Sequence, residues 1–217
     1  MPEVLKRVEA VRMLRARSPR KQTRATASRP HLFGEDRQPS SSYLLVPSVS
    51  SERREWIPIG FEKMDTIASN LVLTVPNATT YHFAILSSTM HNAWTRAVCG
   101  RLEIRFRYSV SVVYNNFPWP NTETGQQSAI LNAGQAILDA RASHSQATLA
   151  DLYDPRSMPS NLQEAHAVND CAVDTEYGYH GDNSDAARVA FLFDLYETIA
   201  QSHGRDRPKR IRGRIRS

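Results

Sequence analysis

Trp94–Pro120, WTRAVCGRLEIRFRYSVSVVYNNFPWP, decides how the rest of the chain is read. From Leu102 onward the apolar residues Leu102, Ile104, Phe106, Tyr108, Val110, Val112 and Tyr114 share one parity. Arg101, Glu103, Arg105, Arg107, Ser109 and Ser111 share the other. Successive side chains of an extended strand point to opposite faces, so this spacing predicts a strand with one apolar and one arginine-bearing face. So long a strand is unusual. A break is therefore expected near Phe106–Ser109, which would set Arg105 and Arg107 on an exposed loop. Either geometry presents guanidinium groups, which suit bidentate contact with phosphate or guanine.

Working outward, Asn77–Cys99 predicts one helix, capped by Asn77 or Thr79. Phe83, Leu86, Met90, Trp94 and Ala97 form its buried stripe, and Gly100 is its left-handed stop. His82 and His91 fall off that stripe and are expected at the surface. Further upstream, Ser42–Val46 and Trp56–Phe61 read as short strands around a polar loop bearing Arg53 and Arg54. Ile67–Val75 reads as a third strand, and Pro58 and Pro76 argue for edges or strand ends. Residues 3–17 form a helix with Val4, Val8, Val11 and Leu14 on one stripe and basic side chains elsewhere. An Arg/Ser/Thr/Pro-rich linker follows, from Ser18-Pro19 to Ser42.

Downstream, Asn115–Pro120 superficially matches the Asn/Asp-Pro-Pro-aromatic loop with which amino-methyltransferases hold a flipped base. The order Asn-Asn-Phe-Pro-Trp-Pro misplaces the prolines, and no glycine-rich cofactor loop precedes it. The stretch is expected to be a rigid connector, with Phe117 and Trp119 packed on the core. Gln126–Arg141, Pro159–Tyr177 and a helix capped by Asp182 or Ser184 then read as amphipathic helices. Gly178 stops the second of them, and the short turn Thr148–Tyr153 lies between the first two.

The 217 residues carry a net charge of +5, unevenly placed. Residues 1–30 are at +7, 31–120 at +1, 121–204 at −9 and 205–217 at +6. Basic ends attract polyanions; the acidic block would repel DNA and should face water or protein. Cys99 and Cys171 have no CxxC spacing, which fits reduced thiols of a cytoplasmic protein. The seven histidines make no HxxxH or HExxH pair, Asp182 lacks the order of a calcium loop, and Ser87-Ser88 lack a GxSxG turn. No apolar run approaches a membrane span. The start lacks the apolar core of a secretory signal, although its Arg-rich, acid-poor composition has the character of an organellar transit peptide. No catalytic motif is present.

Five segments carry a family resemblance: SERREWIPIGF (51–61), PNATTYHFAILSSTMHNAWTRAVCGRL (76–102), RYSVSVVYNNFPWP (107–120), ARASHSQATLADLYDPRSMP (140–159) and YGYHGDNSDAARVAFLFDLY (177–196). Together they resemble the C-terminal part of MmeI-like DNA methyltransferases, bacterial restriction–modification proteins with nuclease, methyltransferase and specificity regions on one chain. The likeness runs over residues 5–203. It implies an α+β protein: a basic helix and linker over 1–34, a mixed α/β target-recognition domain over 35–120, a small helical domain over 121–203 and a basic tail over 204–217. It implies double-stranded DNA as partner and adenine-N6 methylation with S-adenosylmethionine in the full-length family. The nuclease motif, cofactor loop and Asn-Pro-Pro-aromatic loop lie outside this chain, so no cofactor and no methyl transfer are expected of it alone. On charge, position and this resemblance, the candidate DNA contacts are Arg53, Arg54, Lys63, Arg101, Arg105 and Arg107. Two alternatives accompany this expectation: a specificity subunit docking on a separate methyltransferase or nuclease chain, and a non-functional remnant. Met1 would fall in the spacer after the catalytic domain, as in a split gene, a truncated gene or a late start codon.

Overall fold

The computed structural model describes residues 1–34, 37–121 and 127–205, with side chains as far as residue 202. The basic tail expected over 204–217 lies almost wholly outside them. The chain divides into two compact units, residues 1–38 and 39–217.

The first unit begins with α1 (Pro2–Ala16), opened by a proline at the first helical position, where the missing N–H costs nothing. The expected linker holds structure: α2 (Lys21–Ala25) and a 3₁₀ turn (Thr26–Ser28). Arg15 gathers this segment, donating to the carbonyls of Thr26 (3.2 Å), Arg29 (2.9 Å) and Leu32 (2.8 Å). Among the described residues none of α1 is buried, so its valine stripe is not a core face of this unit.

The second unit carries two small antiparallel sheets and six helices among its described residues. β1 (Tyr43–Pro47), β3 (Gly60–Glu62) and β4 (Val72–Pro76) form one sheet in the order β3-β1-β4. β2 (Val49–Ser50), β5 (Gly100–Leu102) and β6 (Arg105–Arg107) form the other in the order β2-β6-β5. The run Tyr43–Ser50 passes from the first sheet into the second and joins them. The helices are α3 (Thr80–Leu86), α4 (Thr89–Val98), α5 (Gln127–Ala142), α6 (Leu149–Leu152), α7 (Ser160–Tyr177) and α8 (Asp185–Arg205), with a π-helical turn at Val110–Tyr114. The architecture is α+β, as expected.

Four local expectations are corrected. Of Trp56–Phe61, only the end enters a strand; Trp56, Ile57 and Ile59 are buried from a loop whose Ile57 N–H is satisfied by Asn92 Oδ1 at 3.0 Å. The single helix of 77–99 is two helices. Ser88 breaks it, donating to the Ile85 carbonyl (2.7 Å) and accepting the His91 N–H (3.3 Å), because a hydroxyl competes with the backbone ladder. Gly100 opens β5 instead of forming a left-handed stop; Cys99 before it is extended. His91 is fully buried, and His82 is half-buried, closing a capping box with Thr79.

One core runs through the strands, α3, α4 and the later helices. Gly134 lets α5 meet α3: a Cβ there would lie 2.9 Å from Ala84 Cβ and 3.0 Å from Thr80 Cγ2. Polar ties cross the same seam. Arg141 donates to the Ile59 carbonyl (2.7 Å) and to the Tyr153 hydroxyl, and Asn169 donates to the Ala84 carbonyl (2.9 Å). Arg96 pairs with Asp185 at 3.0 Å and also donates to the Glu55 carbonyl. Asp170 on α7 accepts from the Thr89 N–H (2.6 Å), the Thr89 hydroxyl (2.5 Å) and Trp56 Nε1 (3.3 Å), thereby capping α4 from another element.

Candidate nucleic-acid interface

The long strand expected from Leu102 is a hairpin. β5 and β6 pair with Gly100 opposite Arg107, Arg101 opposite Phe106 and Leu102 opposite Arg105, leaving a two-residue turn, Glu103-Ile104. Glu103 takes the left-handed conformation the turn requires (φ 58°), which costs a side-chain-bearing residue more than glycine. The reversal changes the face assignment. Cross-strand partners share a face. Arg105 and Arg107 therefore stand with Leu102, Gly100 and Val49, whereas Arg101 stands with Phe106 and Ser50. The three arginines share sequence parity but not a face.

The inner face is anchored. Phe106 is buried, and Arg101 lays its guanidinium over that ring, 4.1 Å from the centroid. At the foot of the hairpin the Tyr108 N–H donates to the Ser48 carbonyl (2.9 Å). The buried Tyr108 hydroxyl meets His91 Nε2 at 3.0 Å, and His91 Nδ1 faces the Leu86 carbonyl at 2.9 Å. Nδ1 must donate to that carbonyl, and in the neutral ring Nε2 then accepts from Tyr108. Burial agrees, pushing His91 down to about 4. Beyond the π turn, Asn115–Pro120 packs as a connector. Phe117 sets its edge against His91 at 4.8 Å, and the Pro118 carbonyl accepts from the Tyr177 hydroxyl (2.9 Å).

The outer face is open. Arg105 pairs with Glu103 at 2.7 Å, a bond between exposed groups and hence weak. Arg107 sits on the central strand between Val49 and Gly100, and its exposed guanidinium makes no hydrogen bond or ion pair among the described residues. Gly100, lacking a side chain, leaves the stem of Arg107 uncovered on that side; a Cβ there would reach Arg107 Cβ at 3.9 Å.

The other candidates are dispersed. Arg53 is exposed and Arg54 half-buried on the loop after β2. Asp154 is held below its usual carboxylate range by Arg156, through its backbone N–H and then its side chain, with Arg53 adding a smaller attraction; Arg53 therefore lies toward the helical half. Lys63 follows β3, whose Glu62 pairs with Tyr43 at the start of the joining strand. At about 3.3 Å per residue that is roughly 20 Å from the hairpin end of the same strand. The structure thus brings Arg105 and Arg107 together and leaves Lys63 apart. Sequence reasoning missed Glu103 as the partner of Arg105 and His91 as the anchor. An acidic residue two positions from an arginine was a visible signal for the first; nothing marked the second.

Two cavities, of about 270 and 330 Å³, are mainly apolar. The first lies between β4 and Tyr108–Asn115, the second between the C-terminal end of α7 and Phe191. Neither is bordered by a glycine-rich strand-to-helix turn of the kind that holds S-adenosylmethionine. Among them no cluster of His, Cys, Asp and Glu could hold a metal, and no helix is long and apolar enough to cross a membrane.

Residues 1–121 match the family described as MmeI, target recognition domain, and residues 122–202 match that described as MmeI, C-terminal domain. The chain belongs to the MmeI family. DNA methyltransferase A of Bacillus subtilis (strain 168) is 37% identical over 200 residues, which are 92% of this chain and 23% of the relative. The solved structure of the Type IIL restriction–modification enzyme MmeI in complex with DNA superposes with a TM-score of 0.88 at 48% identity, over 93% of this chain and 27% of that one. The chain thus spans about a quarter of the length of each relative.

Proposed function

We propose that this chain is the sequence-reading portion of an MmeI-type DNA methyltransferase, and that it binds duplex DNA with the outer face of the β5–β6 hairpin. The observation that carries the reading is Arg107: an exposed, unpaired guanidinium on a strand whose other face is locked by Phe106 and by the Tyr108–His91 bond. A two-stranded ribbon fits the major groove, and a guanidinium there bonds the O6 and N7 of guanine in bidentate fashion. Arg105 stands two residues away on the same face. Arg54 and Lys63 serve as phosphate contacts that position the duplex without reading it, whereas Arg53 faces the acidic helical half. The charge distribution supports this orientation, because the helical half carries a net −9 over residues 121–204 and would turn away from phosphate. The 48%-identical MmeI was solved in complex with DNA, which supports DNA as the partner.

Methyl transfer to adenine from S-adenosylmethionine belongs, in this reading, to a methyltransferase part on the same polypeptide or a separate one, working on cytoplasmic DNA. The test is a binding titration of the whole chain on duplexes enriched from a random pool, at fixed salt. Specific binding lost in Arg107→Ala supports the assignment; unchanged affinity in both Arg105→Ala and Arg107→Ala overturns it. With labelled cofactor, the chain alone is expected to leave DNA unmethylated.

A further inference from the structure

The outer face of the hairpin is not wholly charged. Leu102 lies directly across from Arg105 and is 42% exposed; Ile104, in the turn, is 69% exposed. Leu102 shares its face with Arg105 and Arg107, and Ile104 adjoins Arg105 at the turn. The hairpin does not need these two apolar side chains for its core, because Phe106 supplies the inward anchor. Their surroundings indicate what covers them. A surface that gathers guanidinium groups selects a polyanion, and within a major groove the apolar features of the base edges lie at pyrimidine C5, above all the thymine methyl group.

We infer that Leu102 on the outer face and Ile104 at the hairpin tip form the apolar part of the reading surface and contact the C5 edge of a pyrimidine beside the base bonded by Arg105 or Arg107. This rests on the DNA-reading role proposed above. Register supports it further. Leu102 and Arg105 are cross-strand neighbours on one face, so the hydrocarbon and the guanidinium would meet the groove together. A purine bonded by the guanidinium and an adjacent pyrimidine would then be read as one step.

The test uses the whole chain and a duplex site enriched from a random pool. Each thymine is replaced in turn by deoxyuridine, and each cytosine by 5-methylcytosine. At one pyrimidine the methyl group is expected to change wild-type affinity about fourfold, the worth of one methyl group taken from water. In the Leu102→Ala/Ile104→Ala variant that response should fall below about twofold, while Ile67→Ala, another exposed apolar site, keeps it. Thermal unfolding confirms the fold, and Ile104→Thr serves if the double variant is unstable. A wild type indifferent to every methyl change, or a variant that keeps the response, overturns the inference. So does equal weakening on methylated and unmethylated sites, which would signal a wedge between base pairs. Those results leave the parent reading intact as long as Arg107→Ala still abolishes binding. Failure to enrich any site would overturn both.

Discussion

The imidazole of His91 accepts the hydroxyl hydrogen of Tyr108 across 3.0 Å, with both residues buried. This bond joins α4 to the foot of the hairpin, so the position of Arg107 is tied to a ring that must stay neutral. A second buried histidine, His166, accepts from the Tyr153 hydroxyl at 2.7 Å; burial, and secondarily Arg141, hold it down to about 3.

Acid should therefore unfold the protein early. Both histidines take up protons near 6.5 when unfolded but only near 4 and 3 when folded. Their contribution is fully present above pH 6.5 and is lost as pH falls toward 4, on the order of 3 kcal/mol for each. Asp170 acts in the opposite direction. Burial pushes its carboxyl up to about 6, so its contribution is present below about pH 4 and lost as pH rises through 6. Urea midpoints between pH 4.5 and 7 should fall on acidification in the wild type. They should fall more steeply in Asp170→Asn, which removes the opposing group. A flat profile would refute the neutral assignment of both rings.

Asp170→Ala is expected to destabilise the fold by roughly 2–3 kcal/mol, because it leaves the Thr89 N–H and Trp56 Nε1 without their acceptor. Asn at that position should recover part of the loss. Chemical denaturation checks both variants, with a ΔΔG under about 0.5 kcal/mol for the alanine variant counting against this cap.

Glu103→Gly should leave stability unchanged or raise it by up to about 1 kcal/mol. Release of left-handed strain offsets the greater backbone entropy of glycine. It also removes the carboxylate from Arg105. Affinity for random-sequence duplex should therefore rise and depend more steeply on salt, as seen in titrations between 50 and 200 mM. Marked unfolding would show that Glu103 holds the turn in another way.

A chain ending at residue 121 is expected not to fold. Trp94, Phe83 and Phe117 pack against residues of α5, α7 and α8, and Arg141, Asn169 and Asp170 supply partners to Ile59, Ala84 and Thr89. Near-ultraviolet circular dichroism of the shortened chain should lack native signal, and Arg141→Ala in the full chain should cost about 2 kcal/mol by stripping a partner from the Ile59 carbonyl. A cooperative transition in the shortened chain would overturn this.

Much of the fold is legible from periodicity. β1 and the helices α5, α7 and α8 follow their patterns closely, because a single period continues through each. Two readings failed for physical reasons. The alternation of Leu102–Tyr114 is common to one long strand and to a hairpin with a two-residue turn. Glu103-Ile104 lacks the asparagine–glycine signature that would have announced the turn. His91 looked exposed because its stripe was drawn on one helix of 77–99; the break at Ser88 starts a second helix whose residues 90–95 are all buried. The candidate arginines were chosen by charge, which sequence displays. The separation of Arg101 from Arg105 and Arg107 onto two faces of one hairpin follows from register, which sequence left open.

The alternation on β6 has an evolutionary consequence. Phe106 holds the ribbon from within, while Arg105 and Arg107 on either side of it are exposed. Replacing the outer pair should cost the fold little, whereas any change to Phe106 dislodges it. A lineage could then drift through many outer pairs while its scaffold stays constant, acquiring new target preferences by substitution at a few sites instead of by rebuilding the domain.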